Sequence, residues 1–83
     1  MQYFFVVIDH QQAPRSPEVL GPEVLEDEAL VMAVEEIERE APFIRDHIDN
    51  WDDLDEPDAI DAYNDFAAGQ QLPRIVVGHS RSR

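Results

Sequence analysis

The sequence predicts a small α+β domain in the order β-α-α-α-β, a two-stranded sheet with helices packed on one face, spanning residues 1–83 as a single unit. Three observations lead there. Residues 2–8, QYFFVVI, are β-branched and aromatic without polar alternation, and residues 72–78, LPRIVVG, repeat that character near the other end. Between them the apolar residues recur at helical rather than alternating spacing, and Pro42 and Pro57 divide the stretch into three helices. A chain of 83 residues has room for one modest core, which argues against a second domain.

The first strand is apolar on both of its alternating sides and reads as covered on both faces. Asp9 and His10 end it. Residues 11–22, with Pro14, Pro17, Gly21 and Pro22, sustain neither a helix interior nor a central strand and are read as a loop. The first helix is expected over residues 23–41, where Leu30, Ala33, Val34, Ile37 and Ala41 fall on one stripe. Pro22 suits its first turn, and Glu23, Glu26, Asp27 and Glu28 lie where the helix dipole favours anions. Ile44, His47, Ile48 and Trp51, spaced i, i+3, i+4 and i+7, give a short second helix anchored by Trp51. Asp55 or Glu56 caps the third helix, Pro57 fits its first turn, Ile60, Tyr63 and Ala67 form its inner stripe, and Gly69 stops it. The second strand follows, with Pro73 at its start, and residues 80–83 are expected to fray. Two strands leave open edges, which permit a homodimer through either one.

Charge narrows the range of functions. The formal net charge is −13, and all six basic residues are arginine. Such a field repels nucleic acid and anionic membrane and attracts basic protein surfaces. Direct nucleic-acid binding is disfavoured, since no basic patch or glycine-rich phosphate loop is present. Trp51, Tyr63 and Phe66 resemble a base-stacking set in type, but at helical spacing they are core residues first. The absence of cysteine excludes disulfides and thiolate metal sites. The longest apolar run, residues 3–8, is too short to span a bilayer and lacks the flanks of a signal peptide, so a cytoplasmic protein is expected.

No motif states an activity, and each candidate chemistry has a plainer reading. Asp9, His10, His79 and Ser80 all follow strand ends. Parallel neighbouring strands would bring them to one edge, as a hydrolase needs, whereas antiparallel strands would separate them. Nothing resembles a nucleophile elbow. His47 between Asp46 and Asp49 has the donor types of a metal site without a diagnostic spacing. The stretch Asp53, Asp55, Pro57, Asp58 fails as a calcium loop, with proline at the third ligand position and no glycine. No cofactor and no catalytic residue is expected.

What remains is the placement of the acids. Residues 46–65 hold nine Asp and Glu and no Lys or Arg, interleaved with apolar residues that hold them in a folded surface rather than a tail. Glu36, Glu38 and Glu40 sit near a helix C-terminus, where the dipole disfavours them, and Glu36 repels Glu40 one turn away, while Glu35 has Arg39 at i+4. Asp61 and Asp65 are likewise one turn apart with no intervening lysine. Folding alone does not reward this arrangement. Asp58, Asp61 and Asp65 would rise in steps of roughly 4.5 to 6 Å, comparable with the roughly 3.4 Å phosphate repeat of one DNA strand.

On Glu35, Glu36, Glu38 and Glu40, with Asp46, Asp49, Asp52, Asp53, Asp55, Glu56, Asp58, Asp61 and Asp65 beyond them, the chain resembles in size and composition the small acidic bacteriophage proteins that mimic nucleic acid, among them anti-CRISPR and anti-restriction inhibitors. The resemblance implies stoichiometric occupancy of a basic DNA- or RNA-binding groove on a host defence complex, without catalysis, and a place in the host cytoplasm. Those thirteen acids are then the expected partner-binding residues. The alternatives are a small bacterial interaction module or antitoxin that docks a basic partner, and a small hydrolase or metal-dependent enzyme.

Overall fold

In the computed structural model, which describes residues 2–10 and 17–81, the strands Gln2–Asp9 (β1), Glu18–Val24 (β2) and Arg74–Arg81 (β3) form one antiparallel sheet with β1 in the middle. The helices are Glu26–Glu40 (α1), Ile44–His47 (α2) and Glu56–Gln70 (α3), with a 3₁₀ turn at Trp51–Asp53. The architecture is α+β, as expected, but with three strands rather than two. The added strand lies where a loop was expected, and part of that expected loop, residues 11–16, falls outside the described residues.

Pro22 and Gly21 excluded a central strand, and β2 is an edge strand. Its register against β1 shifts between Phe4↔Val24 and Val6↔Leu20, leaving three residues of β2 opposite one of β1. Gly21 supplies the left-handed φ of +64° that this bulge requires. Pro22 is therefore inside a strand and not in a helical turn, and α1 starts at Glu26 rather than at residue 23. Its first turn keeps Glu26, Asp27 and Glu28 at the positive end of the dipole.

Two further boundaries differ from expectation. The second helix is a single turn, because the backbone turns extended at Ile48 (φ −120°), and the chain restarts as the 3₁₀ turn after Asn50, at a left-handed φ of 55°. The third helix runs through Gly69, and Gln71, at φ 58°, makes the left-handed end instead. Strand β3 continues through Ser80 to Arg81 and does not fray at residue 80, while Ser82 and Arg83 lie outside the described residues.

The core lies between the helices and one face of the sheet. Val6, Ile8 and Ile75 are buried from the sheet side against Ala29, Ala33 and Ile37 of α1 and Ala59, Ile60, Tyr63 and Ala67 of α3. Alanines at these helical positions let α1 and α3 approach each other and the sheet closely. Trp51 is 5 % exposed and closes the end between the two helices, while Leu30 and Val34, expected in the core, are only partly buried against it. Strand β1 is covered on one face only, not on both as its composition predicts: Tyr3, Phe5 and Val7 point away from the helices and are half-exposed.

Candidate functional site

The expected acids occupy the helical side of the molecule. Glu35, Glu40, Asp46, Asp49, Asp52, Asp53, Asp55, Glu56, Asp58, Asp61 and Asp65 are exposed, and Glu38 is partly covered. On α3 the order 58, 61, 65 places three carboxylates along one solvent-facing stripe, opposite the buried Ala59, Ile60, Tyr63 and Ala67. Helix geometry alone dictates that segregation.

Four of these acids converge. Glu35 and Glu38 of α1, Asp52 of the 3₁₀ turn and Glu56 of α3 rim a groove of about 350 Å³ whose floor is Val31, Val34, Trp51, Leu54 and Ala59. Arg45, from the α2 turn, spans part of this rim. Its Nε donates to both Asp52 carboxylate oxygens at 3.0 and 3.2 Å, and its Nη2 donates to Glu38 Oε2 at 2.5 Å. Hydrogen bonding from Arg45 holds the Asp52 carboxyl below its usual range, and the bonds to Asp52 and Glu38 raise the guanidinium in turn. Two of the four rim carboxylates are thus bridged by a guanidinium that does not itself line the groove, and Glu35 and Glu56 are the other two. The sequence reading missed Arg45 as a bridge, since its partners lie seven residues away on either side and only the turn between α1 and Trp51 brings them together.

Glu36 does not belong to the exposed face, which corrects its assignment as a surface acid. It is 4 % exposed and lies on the same inward stripe as Ala29, Ala33 and Ile37. Strand β2 is the reason, because Leu20 and Gly21 line the groove that encloses it together with Met32, Glu35 and Arg39. Its Oε2 meets the Arg39 guanidinium as an ion pair but accepts no well-aligned hydrogen bond.

The strand-end residues separate. Both sheet pairs are antiparallel, and in the β1–β3 register Asp9 stands opposite Arg74 while His79 stands opposite Phe4 and Ser80 opposite Tyr3. Five residues of strand, roughly 17 Å, divide Asp9 from His79. Asp9 pairs with Arg74, His10 lies 3.7 Å from Glu18, and the His79 ring sits 5.7 Å from that of Phe4. His47 is in an aromatic cluster, 4.9 Å from Phe66 and 5.6 Å from Phe43 between ring centres, and not between Asp46 and Asp49. Among the described residues no group of three or more His, Asp or Glu is arranged to hold a metal ion, and no helix is long and apolar enough to cross a membrane.

Comparison with known proteins finds no family model that matches the chain, no similar curated protein and no similar solved structure.

Proposed function

We propose that this protein is a non-enzymatic binding protein whose acidic helical side docks on a basic, nucleic-acid-binding surface of a partner and blocks it. The observation that carries this reading is the groove in which Glu35, Glu38, Asp52 and Glu56, from three separate segments, surround an apolar floor. Lysine and arginine side chains are apolar along the stem and charged at the tip, so such a groove accepts both parts of them. The aspartates of α3 extend the same charge beyond the groove, where they steer a basic surface into contact. In its sharpest form the protein is an anti-CRISPR-like or anti-restriction inhibitor acting in the cytoplasm of a bacterial host.

An interaction module or antitoxin that docks a basic partner without imitating nucleic acid uses the same groove and is the second reading. A hydrolase built on Asp9, His10, His79 and Ser80 has no support from their placement, since they lie at opposite ends of the sheet.

Affinity capture from a bacterial lysate, followed by competition with nucleic acid, tests the proposal. A nuclease or RNA-guided complex that releases its nucleic acid when the protein binds supports it. A partner that retains its nucleic acid selects the interaction-module reading, and hydrolytic activity lost on changing His10 or His79 to Ala overturns both.

A further inference from the structure

The sheet face turned away from the helices is apolar in an otherwise acidic molecule. Residues facing the core alternate with those facing outward, and on the outward side lie Tyr3, Phe5 and Val7 of β1, Val19 of β2 and Val76 of β3. Val19, Val7 and Val76 are in register and form one row across all three strands. Val19 is 59 % and Val76 38 % exposed. Phe5 lies flat across Gly78, so closely that a Cβ there would meet its ring at 2.7 Å, and the ring fills the gap left by the missing side chain. Asp9, the one carboxylate on this side of β1, is paired with Arg74, and Glu23 stands on the edge strand beside Val24.

We infer that this face is a self-association surface on which a second copy of the chain packs, sheet against sheet. Three arguments select that occupant. First, a basic partner suited to the helical side finds no carboxylate row here, whereas an identical face is complementary to it in polarity. Second, like-charged chains of net charge −13 repel, and this packing keeps their acidic sides furthest apart. The molecule is only 17 Å thick along its shortest axis. Sheets about 10 Å apart, each backed by one helical layer, put the two helical layers roughly 30 Å from one another, several times the screening length of about 8 Å in physiological salt.

Third, pairing through the edges is hindered along β2 and at the start of β3. Pro22 and the Gly21 bulge interrupt β2, and at the start of β3 the edge-facing N–H and C=O of Ile75 are both taken by the Asn64 side chain. This corrects the expectation of an edge-to-edge dimer for β1, which is central, and disfavours it for the other two strands. The area sets the strength. Three strands about 4.8 Å apart, two of eight residues and one of seven at about 3.3 Å each, give roughly 370 Å² in plan, so with side-chain relief a dimer buries near the roughly 1,000 Å² total at which specific interfaces begin. A reversible dimer is expected, not an obligate one. Its existence does not depend on the function proposed above.

Sedimentation equilibrium across a wide range of protein concentration tests the inference, with Val19→Glu, Val76→Glu and, as a control for added charge on the helical side, Gln70→Glu. Val19 and Val76 stand on opposite edge strands, so a face-to-face dimer is weakened by both substitutions, whereas pairing through one edge responds to one of them at most. The expected result is a concentration-dependent dimer for the parent and Gln70→Glu, and a shift to monomer for each valine variant, with circular dichroism and thermal midpoint confirming the fold. Val19→Ile and Val76→Ile should retain the dimer. A parent that stays monomeric at every concentration, or a dimer that survives either valine-to-glutamate change, overturns the inference.

Discussion

Asn64 satisfies both backbone groups of Ile75: its Nδ2 donates to the Ile75 carbonyl at 2.9 Å, and its Oδ1 accepts from the Ile75 N–H at 3.0 Å. One side chain of α3 thereby stands in for a neighbouring strand at the start of the β3 edge.

Replacing Asn64 by Leu should leave a backbone donor and acceptor without partners in a half-buried place. Loss of about 2 to 4 kcal/mol is expected, read from urea unfolding, because each unsatisfied group costs about 1 to 2 kcal/mol. The same variant should aggregate more readily than the parent, since the start of the β3 edge is uncovered. Unchanged stability would mean that water replaces the amide without cost.

Trp51→Ala should destabilise the domain by about 3 to 5 kcal/mol, as expected for a large aromatic side chain that is almost fully buried. Trp51 also floors the acidic groove, and it is the only tryptophan. Its fluorescence in the parent should therefore respond when a short arginine-rich peptide binds there, and should not respond to the same peptide after Glu35→Gln and Glu56→Gln.

Tyr63 gives a signature at high pH. Burial, and secondarily the charge of Glu40, raise its hydroxyl above the usual value, while the hydroxyl donates to the Pro73 carbonyl at 2.9 Å. The unfolded chain ionises first, near pH 10, so this contribution is intact below that pH and declines as pH rises through the folded value. Tyr63→Phe should lose about 1 kcal/mol at neutral pH from the missing hydrogen bond and show a shallower fall in stability above about pH 10. Denaturant titrations at successive pH values make the comparison.

Moderate sodium chloride should raise the melting temperature, because screening relieves the crowded carboxylates more than it weakens the few arginine pairs at the surface. A flat or falling midpoint would show the acids to be compensated within the fold, and the argument from their cost would fail.

For the acidic side, Asp58, Asp61 and Asp65 changed together to Asn should keep or improve stability and slow association with the partner, the loss falling mainly in the on-rate and steepening at low salt. Glu36 requires a separate experiment. It is buried, so Glu36→Gln should alter stability through its contact with Arg39 and leave the association rate unchanged. Equal rate losses from the two sets of changes would contradict the separation between surface acids and buried acid.

Local chemistry determined much of this protein from sequence alone: the first and last strands, the three helical segments, the breaks at Pro42 and Pro57, Trp51 as an anchor and the placement of Asp58, Asp61 and Asp65 on an outward stripe. These follow from residue type and period, which act over a few positions. Strand β2 was not legible, because glycine and proline argue against a strand unless it lies at an edge, and edge position is decided by what pairs beside it. Glu36 lies on the inward stripe of α1, but what encloses it there is Leu20 and Gly21 of that strand. Antiparallel pairing likewise decided that Asp9 and His79 stand apart, and the turn after α1 decided that Arg45 joins Glu38 to Asp52. In each case the contact spans residues whose separation along the chain carries no local signal, so only the packed structure sets it.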